Sequence, residues 1–361
     1  MTPLLGLIVV GLAGALNGAF ALPMKKARLW AWENTWLVYS FVGMVVVGWG
    51  VALWSVPRLP AVYASVGVGV IALVFIFGML WGVANVLFGQ GIHLLGIGLA
   101  FPITIGLSVA IGSLATLAAK DPAALASGGG IVTVLGVAAI IAGVSVCAVA
   151  GVQRDRQSTP ATSGAAPGLP PGKGPEYRLV LALAVVIAAG LLDPTLNFAF
   201  HFGAPIEAAA TAQGASPLAA ADALWVWPLL GSFLVNAVYC SVLLTRNGTW
   251  SRFREPGSIS HWGLALGMGM IWMASISLYG RGAAMMGEFG KSVGWAVFYC
   301  AIILSSGIWG ILCGEWRGAK ARPLRTMFVG LALLLAAMII LGYGNHLFEL
   351  KSRFSQPVGL G

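Results

Sequence analysis

The stretch Trp81–Gly96, WGVANVLFGQGIHLLG, returns as Trp272–Gly287, WMASISLYGRGAAMMG, at a constant offset of 191 residues. Trp81 pairs with Trp272, Leu87 with Leu278 and Phe88 with Tyr279, while Gly89, Gly91 and Gly96 pair with Gly280, Gly282 and Gly287. Both copies lie in long apolar runs. A run of about 20 apolar residues crosses a hydrocarbon core of about 30 Å, so the chain reads as an internally duplicated membrane protein. Duplicated halves that meet in a bilayer build one central site in many transporters.

Outward from the two copies, hydropathy places ten spans at 3–23, 35–55, 71–91, 95–117, 131–151, 178–199, 221–243, 262–282, 290–313 and 324–345. Between the fifth and sixth, Gln153–Tyr177 (QRDRQSTPATSGAAPGLPPGKGPEY) is rich in Pro, Gly, Ser and Thr and reads as a flexible linker. The expected organisation is a first five-helix repeat over 1–152, a cytoplasmic linker over 153–177, a second repeat over 178–345 and a short external tail over 346–361. An odd number of spans per half makes the second half enter the membrane upside down. The expected fold class is therefore an all-α integral membrane protein of ten transmembrane helices in two inverted five-helix repeats, the arrangement of many secondary transporters.

Composition supports this class. Apolar residues make up 59% of the chain and charged residues 9%, against about 25% charged in soluble domains. The 50 glycines suit helices that approach closely in lipid. Of the 20 Lys and Arg residues, 14 belong to loops after the odd-numbered spans, counting those at span edges. The net charge of +9 is thus an orientation signal and implies no nucleic-acid partner. Positive loops face the cytoplasm, which puts the linker inside and both termini outside. The first span has no basic leader and reads as a retained helix rather than a signal peptide. Cys147, Cys240, Cys300 and Cys313 form no CxxC pair and the four histidines are scattered, so no metal site, cofactor or disulfide framework is expected.

Three blocks, the first copy of the repeat among them, carry a family resemblance. Phe20–Trp36 (FALPMKKARLWAWENTW) has a Pro closing the first span, a Lys-Lys pair and a Trp-x-Trp-Glu turn into the second. Trp81–Gly96 follows, and Gly310–Pro323 (GILCGEWRGAKARP) carries a Glu-Trp exit from the ninth span. In order and spacing these resemble the L-rhamnose–proton symporter family of the drug/metabolite transporter superfamily. The resemblance implies a ten-helix protein of the bacterial inner membrane that takes up a deoxyhexose, of the L-rhamnose or L-fucose type, coupled to protons. It also implies that spans one to four and six to nine surround a central cavity, with spans five and ten outside it.

A neutral sugar requires hydrogen-bonding groups for its hydroxyls and an apolar or aromatic face for its C–H surface. On the spans that the resemblance places around the cavity, the candidates are Asn17, Asn85, Gln90, Asn197, Asn236, Tyr239, Ser275, Tyr279 and Tyr299, with Trp81 and Trp272 as stacking faces. The alternative for the tryptophans is helix packing or the interfacial belt. Gln90 and Arg281 hold equivalent places between paired glycines. Arg281 reads either as a snorkelling residue at a helix end or as a donor to sugar hydroxyls.

Proton coupling requires a group that changes protonation as access changes, and a carboxylate in a partly dry cavity is suited to that. Asp193, in GLLDPTLN of the sixth span, is the first candidate, because Pro194 weakens the helix beside it. The competing reading is an acid that caps the broken turn. Glu288, with Lys291 three residues on, is the second candidate, or the two form a solvated pair. Glu33 and Glu315 fall on the basic side among Lys25, Lys26, Arg28 and Arg317, where they read as ion-pair partners fixing helix ends or closing a cytoplasmic gate. His201, Glu207 and Asp222 read as solvated surface around the loop after the sixth span.

The expected function is proton-coupled import of a deoxyhexose by alternating access around a midplane cavity. The alternative is a drug or metabolite exporter of the same superfamily. No nucleophile–His–Asp set, metal cluster or phosphate loop points to an enzyme. The expected partners are sugar, proton and the bilayer, with monomer and homodimer both open.

Overall fold

The computed structural model describes residues 3–120, 127–155, 175–286 and 288–355. They form thirteen α-helices: α1 (Pro3–Ala19), α2 (Trp32–Ser40), α3 (Gly48–Ser55), α4 (Leu59–Ser65), α5 (Val68–Leu95), α6 (Ile97–Lys120), α7 (Gly128–Asp155), α8 (Pro175–Leu192), α9 (Thr195–Ala212), α10 (Pro217–Arg246), α11 (Ser258–Met285), α12 (Glu288–Leu312) and α13 (Ala321–Ser355). A π-helical segment, Phe41–Val47, joins α2 to α3 into one span, Trp32–Ser55. Helices α8 and α9 likewise follow one another through a turn at Asp193–Pro194 in the apolar stretch Tyr177–Ala212. Among the described residues nine helical stretches are long and apolar enough to cross a membrane, and the apolar part of α6, Ile97–Gly112, adds a shorter one. The chain is an all-α integral membrane protein.

The packing repeats with the sequence. The first span, α1, lies against α11 and α12, and the sixth span, α8 with α9, lies against α5 and α6. Helix α10 packs on α5 as α11 packs on α2 and the π-segment, while α7 packs along α13. Exchanging each span for the one five later therefore maps these contacts onto one another. The paired glycines repeat the relation at atomic scale. A Cβ on Gly91 would strike Val186 of the sixth span, and one on Gly282 would lie 2.8 Å from Val10 of the first. Small residues at matched positions let both pairs of helices approach closely.

Gly89 seats a ring. A Cβ there would lie 2.5 Å from Cζ2 of Trp36, which is wholly buried and stacks on Trp32 with ring centroids 5.2 Å apart. The Trp32 indole in turn donates to the Gly89 carbonyl at 3.1 Å. Gly89→Ala is expected to destabilise the protein by about 1–3 kcal/mol, the usual range for overpacking. A lowered apparent melting temperature in detergent is the readout; an unchanged one means that the rings move aside without cost.

Boundaries differ from the sequence reading where polar residues interrupt apolar helices. The sixth span does not end at 199: α9 continues to Ala212, so His201 and Glu207 sit on a helix rather than in a loop. Asp222 lies inside α10 and accepts a hydrogen bond from Ser55 Oγ at 2.8 Å. Helix also takes the first residues of the expected linker, to Asp155, and its last, from Pro175; residues 156–174 lie outside the described residues. The last helix runs on to Ser355, into the stretch read as a tail. The short α4 was not anticipated, and Tyr63 Oη fastens it by donating to the Ala223 carbonyl at 2.9 Å.

Candidate functional site

The two copies meet through their tryptophans. Trp81 of α5 and Trp272 of α11 stack with centroids 6.3 Å apart and planes inclined by 27°, each only 7% exposed. This lies within the range of favourable aromatic pairs, and the two rings form one aromatic floor where the halves join. Tyr39 sets its edge against Trp272 at 6.3 Å and 86°. A Cβ on Gly43 would lie 3.3 Å from Trp272 Cε3, so the π-helical segment also leans on this ring.

Around the floor the polar groups differ in how fully they are engaged. Asn17 of α1 donates to Ser275 Oγ at 2.8 Å, and Ser275 donates to the Trp272 carbonyl at 2.6 Å. Tyr39 Oη lies within reach of the Asn85 side chain, and the buried Asn85 Oδ1 accepts no hydrogen bond among the described residues. A buried polar atom left unsatisfied costs about 1–3 kcal/mol. Asn236 is the opposite case. Its Oδ1 accepts from Trp36 Nε1 at 2.7 Å, and its amide donates to the Ser232 carbonyl at 2.8 Å, so both ends are engaged inside the protein.

Asp193 crosses from the turn between α8 and α9 to the floor. Its Oδ1 accepts from Trp81 Nε1 at 2.9 Å and its Oδ2 from Ser108 Oγ of α6 at 2.5 Å. The carboxylate does not cap α9, whose N-terminal turn has no side-chain cap. Pro194 explains the placement, since the missing N–H and the ring interrupt the helix and free the preceding side chain to turn inward. Tyr299 of α12 lies within electrostatic reach of Asp193. Its ring stacks on Trp295 at 5.3 Å, and Trp295 packs on Tyr279 at 4.3 Å.

The remaining candidates lie apart from this cluster. Gln90 is half-buried and makes no hydrogen bond among the described residues. Asn197 is exposed, one turn into α9 and beside Gly112. Tyr239 is 37% exposed, with its ring edge-on to Trp32 at 6.1 Å. Arg281 is exposed at the end of α11, where its charge acts on Asp222. Glu288 begins α12, but its side chain and that of Lys291 lie outside the described residues. Tyr39 and Ser108 were not anticipated. Tyr39 sits in an apolar run, and a lone serine carries no signal in hydropathy.

On the basic side the halves are tied together. Glu315, only 6% exposed, pairs with Lys25 and accepts the backbone N–H groups of Ile97 and Gly98 at 2.7 and 2.9 Å. Glu33 is fully buried at the start of α2; its Oε1 accepts from Asn247 at 2.9 Å and Thr249 at 2.8 Å. Asn34 donates to the Thr249 carbonyl at 3.0 Å, and the Trp30 indole donates to Ser258 Oγ at 3.2 Å. Among the described residues the opposite side has fewer ties between the halves, Ser55 to Asp222 and Tyr63 to Ala223.

No group of three or more His, Cys, Asp or Glu that could hold a metal is present among the described residues, and the four cysteines are unpaired. Comparison with known proteins adds the family. The profile of the L-rhamnose-proton symport protein (RhaT) matches residues 2–346. The chain is 29% identical over 341 residues to the L-rhamnose-proton symporter of Cronobacter sakazakii, covering 92% of this chain and 95% of that one. It is 28% identical over 353 residues to that of Mannheimia succiniciproducens, covering 94% and 98%, and 27% identical over 341 residues to that of Escherichia coli O1:K1. A profile match over nearly the whole chain, on a helical membrane fold, settles the class: this chain belongs to the L-rhamnose-proton symport protein family, which is a family of membrane transporters and not of enzymes.

Proposed function

We propose that this chain imports L-rhamnose, or a deoxyhexose of the same type such as L-fucose, together with protons, by alternating access between its two halves. The observation that carries the reading is the hydrogen bond from Trp81 Nε1 to Asp193 at 2.9 Å, which joins a carboxylate to the aromatic floor. The sugar ring lies against Trp81 and Trp272, with its methyl group among the aromatic side chains. Its hydroxyls meet Asn17, Asn85 and Tyr39, where a hydroxyl that donates to Asn85 Oδ1 recovers the cost of that unpartnered atom.

Proton and sugar are coupled through the indole. Trp81 Nε1 only donates, so its bond to an ionised Asp193 is charge-assisted and about twice as strong as its bond to the neutral acid. Protonation therefore loosens the ring on which the sugar rests. Whatever the proton changes in sugar affinity, the sugar changes by the same factor in proton affinity. Ser108 follows either state, because a hydroxyl donates to a carboxylate and accepts from an acid. The bridges at Glu33 and Glu315 close the basic side, which positive-inside orientation makes the cytoplasmic face, so the arrangement described is one with the cytoplasmic gate shut.

Uptake into proteoliposomes tests the reading. An inward proton gradient is expected to drive accumulation of labelled L-rhamnose, and an ionophore that collapses the gradient to abolish it. Failure of every labelled deoxyhexose to accumulate overturns the reading, and proton-driven efflux of cationic drugs under the same conditions replaces it with the exporter.

A further inference from the structure

A groove of about 1120 Å³ opens on the flank of the protein between the second, seventh and eighth spans. Its walls are apolar: Phe41, Val46 and Phe233 on one side, Leu266 and Met270 on the other. Val46 and Met270 are 50% and 54% exposed, so the side chains that line it look outward toward the bilayer. Polar character is confined to one end, on the basic side, where Trp250, Ser251, Arg254 and Trp262 form the mouth.

The mouth has donors to spare. The indole of Trp262 donates to the Phe253 carbonyl at 3.2 Å and that of Trp250 to Thr245 Oγ1 at 3.1 Å, so both rings are fixed at the level where tryptophan marks a membrane interface. Arg254 and Ser251 are exposed and have no hydrogen-bond or ion-pair partner among the described residues. A guanidinium and a hydroxyl at the polar end of an apolar trough suit a phosphate oxygen. The length fits as well. From Trp262 to Met270 the α11 wall rises by about 12 Å at 1.5 Å per residue, most of the half-thickness of a hydrocarbon core of about 30 Å.

We propose that this groove is a binding site for an anionic glycerophospholipid, with one acyl chain along α11 and its phosphate on Arg254 and Ser251. The charge decides among lipids: the mouth presents a cation and no carboxylate partner, so a net anionic headgroup is held better than a zwitterionic one. The depth decides against a free anion, because most of the site is wall for hydrocarbon. Its far face touches the transport site, since Gly43, in the same π-helical segment as Phe41 and Val46, packs on Trp272.

Native mass spectrometry of the full-length protein, equilibrated with equal amounts of phosphatidylglycerol and phosphatidylcholine of the same chains, tests this without sugar or a proton gradient. Phosphatidylglycerol is expected to be retained about fivefold over phosphatidylcholine, the change one basic residue contributes at an anionic surface. Arg254→Gln, at an exposed position, is expected to remove that preference. Val46→Trp is expected to fill the trough and lower retention of both lipids. Equal retention by the wild type, an unchanged preference in Arg254→Gln, or full retention in Val46→Trp each overturns the proposal.

Discussion

Replacing Asp193 with asparagine is expected to abolish proton-driven accumulation of sugar while leaving sugar-for-sugar exchange across the membrane intact. The amide has the shape of the acid. Its oxygen still accepts from Trp81 Nε1, and its nitrogen donates to Ser108 Oγ, so the ring keeps its place and the floor keeps its form. What disappears is the proton. An ionisable side chain inside a membrane helix costs about 2.5–3.5 kcal/mol on insertion scales. Against that stand two hydrogen bonds to the carboxylate, from Trp81 and Ser108, each worth about 1.5–3 kcal/mol when one partner is charged. The opposing terms are of the same size. Among the described residues no salt bridge to Asp193 accompanies these two bonds. A group balanced in this way can exist in both protonation states during a cycle, as a coupling residue must.

The measurement separates coupling from damage. A gradient of one pH unit supports at most about tenfold accumulation per proton, because a tenfold ratio is about 1.4 kcal/mol. In Asp193→Asn the ratio of internal to external sugar is expected to settle at unity, with counterflow near the wild-type rate. Unchanged accumulation removes Asp193 as the proton carrier. Loss of both activities shows that the carboxylate holds the site together and leaves the coupling group elsewhere.

The sequence exposed this site unevenly, and for physical reasons. A duplicated tryptophan amid glycines is visible in one dimension, because the repeat itself selects Trp81 and Trp272, and parity of the spans makes them partners. Asp193 is visible because a carboxylate and a proline interrupt an apolar run. Ser108 and Tyr39 are silent: one is small and near neutral in hydropathy, the other blends into an aromatic-rich helix, and only folding brings either beside a polar partner. Asn236 was legible as an amide inside a membrane span, but its partner Trp36, 200 residues away in sequence, becomes visible only on folding. Span six was cut short because His201 and Glu207 look like loop residues, whereas the alanine-rich turns around them favour helix and α9 lies against α10 and α5.

Glu315→Gln is expected to open the basic side of the protein, with reagent access to the central site rising by at least about tenfold. Glu315 joins three segments that are far apart in the chain: Lys25 after the first span, the first turn of α6, and the exit from α12. Gly96 makes the joint possible. Its φ of +86° bends the chain between α5 and α6 so that the N–H groups of Ile97 and Gly98 both face the carboxylate. A Cβ on Gly96 would lie 2.6 Å from the Glu315 carboxyl carbon, so no larger residue fits beside it. A helix N-terminus favours a negative charge, and glutamine removes that charge along with the pairing to Lys25. The Lys25 side chain is 29% exposed, so the ion pair itself is discounted for solvent. The weakened hydrogen bonds alone amount to about 2 kcal/mol, a factor of up to about 30 between the closed and open arrangements. On the opposite side the ties from Ser55 to Asp222 and from Tyr63 to Ala223 stay in place in this variant, so losing the Glu315 joint shifts the equilibrium toward opening of the basic side. Ser275→Cys in a Cys313→Ser background, reacted with an impermeant thiol reagent from the basic side, reads that shift directly. Faster labelling in Glu315→Gln identifies a gate; a lower melting temperature with unchanged labelling identifies a structural brace and overturns the gate.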